Sequence, residues 1–413
     1  MNYPRDVAVR VLTRVLSDNE ALDAALAAVS GELNPETAGW LQEVTSGTLR
    51  WKGRLDRIID SIALKKKPSG WLRKVLLIGA YQLVVQERTS PGAVVSETVA
   101  EVKRKEGDAP AKFANALLRK ISDHGAKWRE QVFPAKAPEI EMAAWASLPE
   151  WLWWKLQKQH GREWAAAFSQ ASLERPKLWI RPRHEKWTQD SHPEWVTAGP
   201  LPGVWQVTEG GSIVNKPGFR EGEFLVQDIS NQLLISEIVA EVRKVSRAET
   251  ALDLCAAPGG KSVGMAWSGF KVVATDANEA RVALLKQTVE RLAPEVQIVP
   301  RDGVAAAGPY DLVWVDSPCS GTGILRRHPD VRWLRREQEL KGLQELQQKL
   351  LLEAWELVRP GGHLAYSVCS VLKDEGSEPI KKAGLAEKLV KEWTLAPHIA
   401  PFGDGFWAGL LKK

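Results

Sequence analysis

From about residue 248 onward, four short apolar segments alternate with helical stretches, and this alternation constrains the fold more than any other feature. The segments are ALDLCAA (251–257), KVVATDA (271–277), YDLVWVDSP (310–318) and HLAYSVCS (363–370). Strands that alternate with helices predict an α/β domain with a Rossmann-like, mostly parallel, doubly wound sheet. Ligands bind such sheets beyond the carboxyl ends of the strands. Residues that follow these segments are therefore the candidates for a functional site.

The preceding residues, 1–128, have the pattern of an all-helical domain. Apolar residues recur at intervals of three and four, first at Val7, Val11 and Val15, which predicts amphipathic helices in a bundle. Asn34 and Pro35 are typical of a helix start. Further separate helices are predicted over residues 55–62, 72–86, 94–105 and 111–121.

Residues 129–247 combine both patterns and are predicted to form a small α+β domain. Helices are expected over 149–160 and 161–170, a strand at LWIRPR (178–183), and a strand followed by a helix over 224–239. Dense Pro and Gly between 193 and 222 indicates turns. The chain thus divides into domains at 1–128, 129–247 and 248–413, with FWAGLLKK (406–413) as a last edge strand.

Composition limits the class of protein. The 413 residues carry a formal net charge of +5 and only three cysteines. So few cysteines do not form a disulfide framework, which favours a reducing cytoplasm. The N-terminal segment MNYPRDVAVRVL lacks the apolar core of a signal peptide. The longest apolar run, 75–85, is too short to span a bilayer, so no membrane association is expected.

The loop DLCAAPGGKS (253–262) follows the first strand and opens a helix. Gly259 and Gly260 allow a tight turn and a close approach to a ligand, and helix N-terminal N–H groups face that ligand. Asp276 ends the next strand, where a carboxylate can accept hydrogen bonds from ribose hydroxyls. Asp302 follows the third strand and is a candidate contact for an adenine edge. Because the loop lacks both phosphate-binding spacings, a nucleoside cofactor without phosphates fits better, and S-adenosylmethionine is the candidate.

Two more cysteines follow later strands. Cys319 lies in DSPCSGTG after the fourth strand, and Cys369 ends or follows the fifth. We expect both to reach the crevice that holds the cofactor. Spacing does not favour a metal site, since no third or fourth Cys or His ligand is suitably placed, and the CxxC pattern of a redox pair is absent.

A thiol combined with S-adenosylmethionine indicates methylation at carbon 5 of cytosine. Thiolate addition to carbon 6 turns the unreactive ring into an enamine that attacks the methyl group. A base must then remove the carbon-5 proton so that the thiol leaves. Asp316 is placed to contact the ring edge, and Lys261 to stabilise negative charge on the ring carbonyl.

The motifs DLCAAPGGKS, DSPCSGTG, RRHPDVRWLRR (326–336) and GDGFWAGLL (403–411) resemble, in order, those of the bacterial RNA cytosine-C5 methyltransferases of the Sun/Fmu (RsmB) family. The N-terminal helices resemble the RNA-binding fold of the NusB antitermination factor, so the resemblance covers almost the whole chain. The sequence differs from the family pattern at Val368, Ser317, Gly409 and Asp374-Glu375-Gly376, where Thr, Ala, Lys and Glu-Glu-Asn are typical.

The resemblance implies roles for individual residues. It makes Cys369 the nucleophile and Cys319 the residue that assists product release, with Asp316 between cofactor and target base. The implied cofactor contacts are Cys255, Ala256, Ala257, Pro258, Gly259, Gly260, Lys261, Asp276, Asp302 and Asp316. The implied substrate is a cytosine of 16S rRNA at the cytosine-967-type position, methylated before the small subunit assembles. The protein itself is expected to be a monomer. Candidate RNA contacts are Arg181, Arg183, Arg326, Arg327, His328 and Arg332.

Two alternatives accompany this hypothesis. The same chemistry can act on tRNA or on another rRNA site. A different class is a non-catalytic RNA-binding or antitermination factor in which only the helical domain acts, although the intact set of lysine, aspartates and cysteines argues against it.

Overall fold

The computed structural model describes residues 4–64, 66–87, 89–130, 139–183, 187–188, 191–245, 247–305 and 307–413. The chain divides into two compact units: Met1–Arg175 with Leu325–Glu337, and Pro176–Ile324 with Gln338–Lys413. Three domains were predicted. The predicted middle domain is divided: its described helices before Arg175 belong to the first unit, while its strands and the helix Ile229–Val245 belong to the second.

The first unit is entirely helical in its described part. Its helices are α1 (Pro4–Leu16), α2 (Leu22–Ala27), α3 (Pro35–Ile62), α4 (Gly70–Val84), α5 (Pro91–Glu106), α6 (Asp108–Glu130), α7 (Glu139–Ala146), α8 (Glu150–His160), α9 (Arg162–Ser172) and the short α13 (Val331–Leu334). Fully buried apolar side chains from α1, α3, α4 and α6 form its core, among them Leu12, Leu55, Ile58, Ile78 and Leu118.

Helix α3 shows where local pattern and packing differ. The Asn34 side chain accepts a hydrogen bond from Thr37 N at 2.9 Å, which confirms the predicted cap. The separate helix predicted at 55–62 is instead the last part of one 28-residue helix. Gly47 lies inside it because Tyr81 packs there, and a Cβ at Gly47 would lie 2.0 Å from the Tyr81 Cζ.

The second unit contains two sheets. A small antiparallel sheet has the strand order β2-β3-β1-β4, formed by β1 (Trp179–Pro182), β2 (Val196–Ala198), β3 (Trp205–Val207) and β4 (Phe224–Val226). Helix α10 (Ile229–Val245) leads from it to the larger sheet. That sheet contains β5 (Thr250–Asp253), β6 (Lys271–Ala274), β7 (Gln297–Ile298), β8 (Tyr310–Asp316), β9 (Val358–Val368), β10 (Leu389–Leu395) and β11 (Phe406–Lys412). Its connections include α11 (Gly260–Trp267), α12 (Glu279–Leu292), α14 (Glu339–Leu357) and α15 (Ser377–Lys382).

The larger sheet has the order β10-β11-β9-β8-β5-β6-β7. Strands β5 to β9 pair in parallel, and this confirms the predicted doubly wound fold class. The prediction of an edge position for β11 is wrong. It pairs antiparallel with both β9 and β10, and it is buried along most of its length. Strand β10 forms the edge, and its positions alternate between half-buried and exposed up to the buried Leu395.

The strand order places the candidate site. Strand β5 is central, with β6 and β7 on one side and β8 and β9 on the other. Because β5, β6, β8 and β9 run in parallel, the loops that follow them leave the same edge of the sheet. The order of strands reverses between β5 and β8, so a crevice opens between the cofactor loop and the Cys319 loop.

Candidate active site

The loop between β5 and α11 has a backbone that only glycine adopts readily. Gly259 caps α11 with φ +111°, in the left-handed region, and a Cβ there would lie 3.1 Å from Leu285 Cδ1. The next glycine, Gly260, lies close to Gln227, whose Nε2 would be 3.0 Å from an added Cβ. Both positions are therefore crowded by neighbouring side chains, and glycine fits there because it has no Cβ.

A carboxylate is fixed against this loop. Asp276 follows β6 and is 8% exposed. Its Oδ2 accepts from Ala257 N at 3.2 Å and its Oδ1 from Asn278 N at 3.1 Å. Arg281 holds the other side of the loop by donating to Ala257 O at 2.7 Å. A carboxylate has about four acceptor positions, so Asp276 retains capacity for ribose hydroxyls.

Asp302 has a different setting from the one expected. It lies in a short 3₁₀ turn, Arg301–Gly303, beyond the two-residue strand β7, and it is exposed. Its neighbour Arg301 anchors the turn by donating to Leu254 O at 2.5 Å and pairing with Glu353 at 2.9 Å. The turn thereby holds Asp302 near the end of β5.

Lys261 and Asp316 form an ion pair between the two loops. Lys261 Nζ donates to Asp316 Oδ2 at 2.6 Å, and Lys261 is 7% exposed. The other carboxylate oxygen accepts from Ser367 Oγ at 2.8 Å, and Ser367 Oγ accepts from Trp314 Nε1 at 3.0 Å. This chain of contacts fixes the Asp316 carboxylate, which is still partly exposed. The sequence does not point to Ser367, because a serine within an apolar strand has no neighbouring motif that indicates a role in the site.

The structure brings together two of the three cysteines. The Sγ atoms of Cys319 and Cys369 lie 3.2 Å apart, and both residues are partly exposed and unbridged. The hydrogen bond with Cys369, together with desolvation, holds the pKa of the Cys319 thiol well above its ordinary value. The Cys319 thiol therefore keeps its proton at neutral pH.

Cys255 is set apart from this pair. Burial raises the pKa of its thiol to about 12, and the side chain packs against the apolar cluster on one face of the sheet. A thiol that remains protonated is a poor nucleophile. Cys255 belongs to the cofactor loop as a packing residue.

The candidate RNA contacts fall into two groups. Arg326 and Arg332 belong to the first unit and are buried. Arg332, 1% exposed, donates to Ser172 O at 2.6 Å and Ser147 O at 3.1 Å, and burial lowers its pKa to about 9. These contacts do not support an RNA role for Arg332, since its guanidinium already holds the helical unit together. Arg327 and His328 are half-buried.

Arg181 and Arg183 lie in the second unit. They line a groove of about 720 Å³ together with Trp187, Trp205 and Trp267. Arg181 Nη1 is buried and has no hydrogen-bond partner within the described residues. A guanidinium beside aromatic rings is a suitable surface for a nucleic-acid strand.

Two negative findings apply to the described part of the chain. It contains no group of three or more His, Cys, Asp or Glu side chains arranged to hold a metal ion. Over the same residues, no helix is long and apolar enough to cross a bilayer.

The fold and the site define a class of enzyme, the S-adenosylmethionine-dependent RNA methyltransferases. Residues 241–399 match the 16S rRNA methyltransferase RsmB/F family, and residues 2–123 match the NusB family. A ribosomal RNA small subunit methyltransferase B from Cronobacter sakazakii is 30% identical over 99% of this chain and 98% of its own length. Its counterpart from Photorhabdus laumondii is 28% identical over the same shares. The chain therefore belongs to the RsmB family of small-subunit rRNA methyltransferases.

Solved structures show the same fold at low identity. The crystal structure of PH0851 superposes with a TM-score of 0.71 at 21% identity, over 100% of this chain and 99% of that chain. NSun6 from Pyrococcus horikoshii, crystallised with SFG, gives a TM-score of 0.50 at 17% identity, over 64% of this chain and 98% of that one.

The residues present fit S-adenosylmethionine. The first turn of α11 presents backbone N–H groups beyond the end of β5, and the retained acceptor capacity of Asp276 suits ribose hydroxyls. Lys261 is the residue in this loop that could bind a phosphate, but its ammonium group is already paired with Asp316. This donor and acceptor set matches a nucleoside without phosphates.

Proposed function

We propose that this protein methylates carbon 5 of a cytosine in 16S rRNA, at the cytosine-967-type position, through a covalent bond between Cys369 and carbon 6. The single observation that carries the proposal is the 3.2 Å separation of the Cys319 and Cys369 sulfurs at the edge of the sheet where the cofactor loop begins. S-adenosylmethionine supplies an electrophilic methyl group.

Cys369 and the ion pair prepare the ring. The Cys369 thiolate adds to carbon 6, and the electron pair of the 5,6 double bond moves into the ring. Asp316, held by Lys261 and Ser367, hydrogen-bonds the edge of the cytosine. Positioning of this kind supplies more of the rate than thiolate formation does, because nucleophilicity falls as thiol pKa falls, with a slope of about 0.4–0.5.

Cys319 acts after methyl transfer. Carbon 5 then carries both a proton and a methyl group, and loss of the proton returns the electrons to the ring and breaks the bond between carbon 6 and Cys369. Cys319 lies beside that sulfur, so we assign it the release step. Once Cys369 is bonded to carbon 6, its hydrogen bond no longer holds the Cys319 proton and that proton is lost to solvent. The Cys319 thiolate then takes the carbon-5 proton, and the Cys369 sulfur leaves as a thiolate.

The proposed RNA-binding residues are basic and lie partly beside tryptophan side chains. Arg181 and Arg183 in the tryptophan-lined groove, with Arg327 and His328 in the first unit, are the proposed contacts. The target cytosine must leave its stack to reach the sulfurs. We further propose that the protein acts in the cytoplasm as a monomer on free 16S rRNA before the small subunit assembles.

Bisulfite mapping of total RNA tests the proposal. A deletion strain is complemented with the wild type, Cys369→Ala or Cys319→Ala. We expect one 16S cytosine to be protected with the wild type only, and a covalent protein–RNA species to accumulate with Cys319→Ala. Protection that survives in Cys369→Ala contradicts the assigned nucleophile. A protected cytosine in tRNA or elsewhere in rRNA would show that the substrate is not the assigned 16S site. Normal growth of the Cys369→Ala strain without methylation would favour a non-catalytic RNA-binding role.

A further inference from the structure

A fully buried carboxylate joins the two cysteine loops. Glu375 lies after β9 in a loop that leads to α15, and it is 0% exposed. Its Oε2 accepts from Ser320 Oγ at 2.5 Å and from Ser370 Oγ at 2.6 Å. Ser320 and Ser370 are the residues immediately after Cys319 and Cys369. One oxygen atom therefore holds both loops, one residue away from each sulfur.

The second oxygen of Glu375 strengthens the same junction. Oε1 accepts from Ser320 N at 2.7 Å and from Gln347 Nε2 at 3.3 Å, and Gln347 Nε2 also donates to Pro318 O at 3.0 Å. The Cys319 loop is thus fixed at residues 318 and 320. Burying a carboxylate is costly unless its oxygens are hydrogen-bonded, and here each oxygen receives two donors.

The Cys369 loop is held by the same cluster. Thr322 Oγ1 lies 2.9 Å from Ser370 Oγ, and Tyr366 OH donates to Glu375 O at 2.8 Å. The residue that follows each cysteine donates a hydrogen bond to Glu375. Movement of either loop therefore changes the distance between the two sulfurs. The ion pair of Lys261 with Asp316 contacts neither loop at these points.

We infer that Glu375 is a positioning residue that sets the separation of the Cys319 and Cys369 sulfurs. The inference rests on the proposed function for its importance in catalysis, but the separation itself can be measured without methyl transfer. Removing the carboxylate takes away the acceptor of Ser320 N and the acceptor that the two serine hydroxyls share, so the two loops lose the hydrogen bonds that join them through Glu375.

Phenylarsine oxide reports whether the two sulfurs lie close enough to be bridged by one arsenic atom. The reagent condenses with two neighbouring thiols, forming two As–S bonds and releasing one water with no change in oxidation state. We expect tight one-to-one binding to the full-length wild type and loss of that binding in Cys319→Ala. Glu375→Ala should bind the arsenical at least about tenfold more weakly, since hydrogen bonds to a charged acceptor are among the stronger ones. Wild-type affinity in Glu375→Ala overturns the inference.

Two variants separate positioning from a general structural role. Glu375→Gln keeps one oxygen for Ser320 N and offers an NH₂ group to the serine hydroxyls, so it should recover arsenical affinity to within about threefold of the wild type. Glu378→Gln makes the same charge change in α15, where Glu378 pairs with Lys381 at 2.8 Å, and should have no effect. A Glu375→Gln variant as weak as Glu375→Ala contradicts positioning through these hydrogen bonds.

Catalysis and folding provide the remaining readouts. In Glu375→Ala we expect kcat for methyl transfer to fall while KM for S-adenosylmethionine stays unchanged, because the hydrogen bonds given for the Glu375 side chain go to Ser320, Ser370 and Gln347, all outside the cofactor loop. If Glu375→Ala does not fold, Ser370→Ala tests the same inference, because it removes one of the hydrogen-bond donors to Glu375. Unchanged arsenical affinity in Ser370→Ala would count against the inference. A wild type that binds the arsenical but transfers no methyl group would refute the proposed function and leave the positioning role intact.

Discussion

Lys261 Nζ and Asp316 Oδ2 lie 2.6 Å apart, although one residue begins α11 and the other ends β8. The pair connects the cofactor loop to the strand that carries the Cys319 loop. Lys261 is 7% exposed, and burying an ammonium group without a partner is strongly destabilising. The Asp316 carboxylate offsets that desolvation cost. The ion pair therefore both closes the crevice and fixes the carboxylate that we propose contacts the target base.

Replacing Lys261 should slow methyl transfer. In Lys261→Met, Asp316 loses its cation and keeps only Ser367 as a donor, so its orientation loosens and the ring carbonyl lacks a stabilising charge. We expect the single-turnover rate to fall about a hundredfold, the range seen when one preorganised donor is removed. Lys271→Met, at an exposed position on β6, is the control. An unchanged rate would show that Lys261 only closes the crevice.

Arg332 should matter for stability rather than for RNA affinity. Its guanidinium satisfies two buried carbonyls, those of Ser147 and Ser172. We expect Arg332→Met to destabilise the first unit by about 3 kcal/mol, since each buried acceptor left without a donor costs on the order of 1–3 kcal/mol. Thermal denaturation followed by circular dichroism measures this, with exposed Arg336→Gln as the control. A stable variant that loses RNA affinity would restore Arg332 as an RNA contact.

Asp253 should make the second unit less stable as the pH rises. Burial raises the pKa of its carboxyl to about 6, above the roughly 3.9 of an exposed aspartate. The folded protein thus holds this proton more tightly than the unfolded chain does. The resulting stabilisation is complete below about pH 4 and is lost as the pH rises through 6.

The variant Asp253→Asn isolates that effect. Asparagine stays neutral and keeps an acceptor for Ser262 Oγ, which now donates to Asp253 at 2.6 Å. The stability of the variant relative to the wild type should increase between pH 4 and pH 7, by up to about 3 kcal/mol. Melting temperatures across this range measure it, with exposed Glu387→Gln as a reference. Parallel pH profiles for Asp253→Asn and the wild type would mean that the carboxyl titrates normally.

Arg181 and Arg183 should contribute to RNA affinity through phosphate charge. Each neutralised phosphate of a single strand contributes about −0.7 to the slope of log K against log salt. Arg181→Gln and Arg183→Gln should each weaken RNA binding and reduce that slope by about this amount, while S-adenosylmethionine affinity stays constant. Filter binding at several salt concentrations is the measurement. An unaltered slope in both variants would remove the groove from the RNA path.

Much of the larger sheet was predictable because its strands are short, apolar and bounded by turn residues. The cofactor loop was predictable for a related reason, since glycine at a strand-to-helix turn has a local conformational cause, seen at Gly259. The position of β11 was not predictable. Its apolar run suits an edge or an interior strand equally well, and only the pairing of β10 outside it decides between them.

Site residues divide in the same way. Cys319, Cys369, Asp316 and Asp276 could be named because each follows a predicted strand. Ser367 and Glu375 were not singled out as site residues, since their importance comes from partners 51 to 55 residues away. The burial of Arg332 was also hidden, because its acceptors at Ser147 and Ser172 are 185 and 160 residues distant.

The sequence by itself determined which chemical groups gather at the carboxyl edge of the sheet, because strand periodicity and glycine turns are local properties that place loop residues at strand ends. Only the tertiary structure decided how closely the Cys319 and Cys369 sulfurs approach each other, which arginines remain accessible and which carboxylate joins the two cysteine loops. Those outcomes depend on burial and on hydrogen bonds between segments far apart in the chain, and residue spacing carries no record of either.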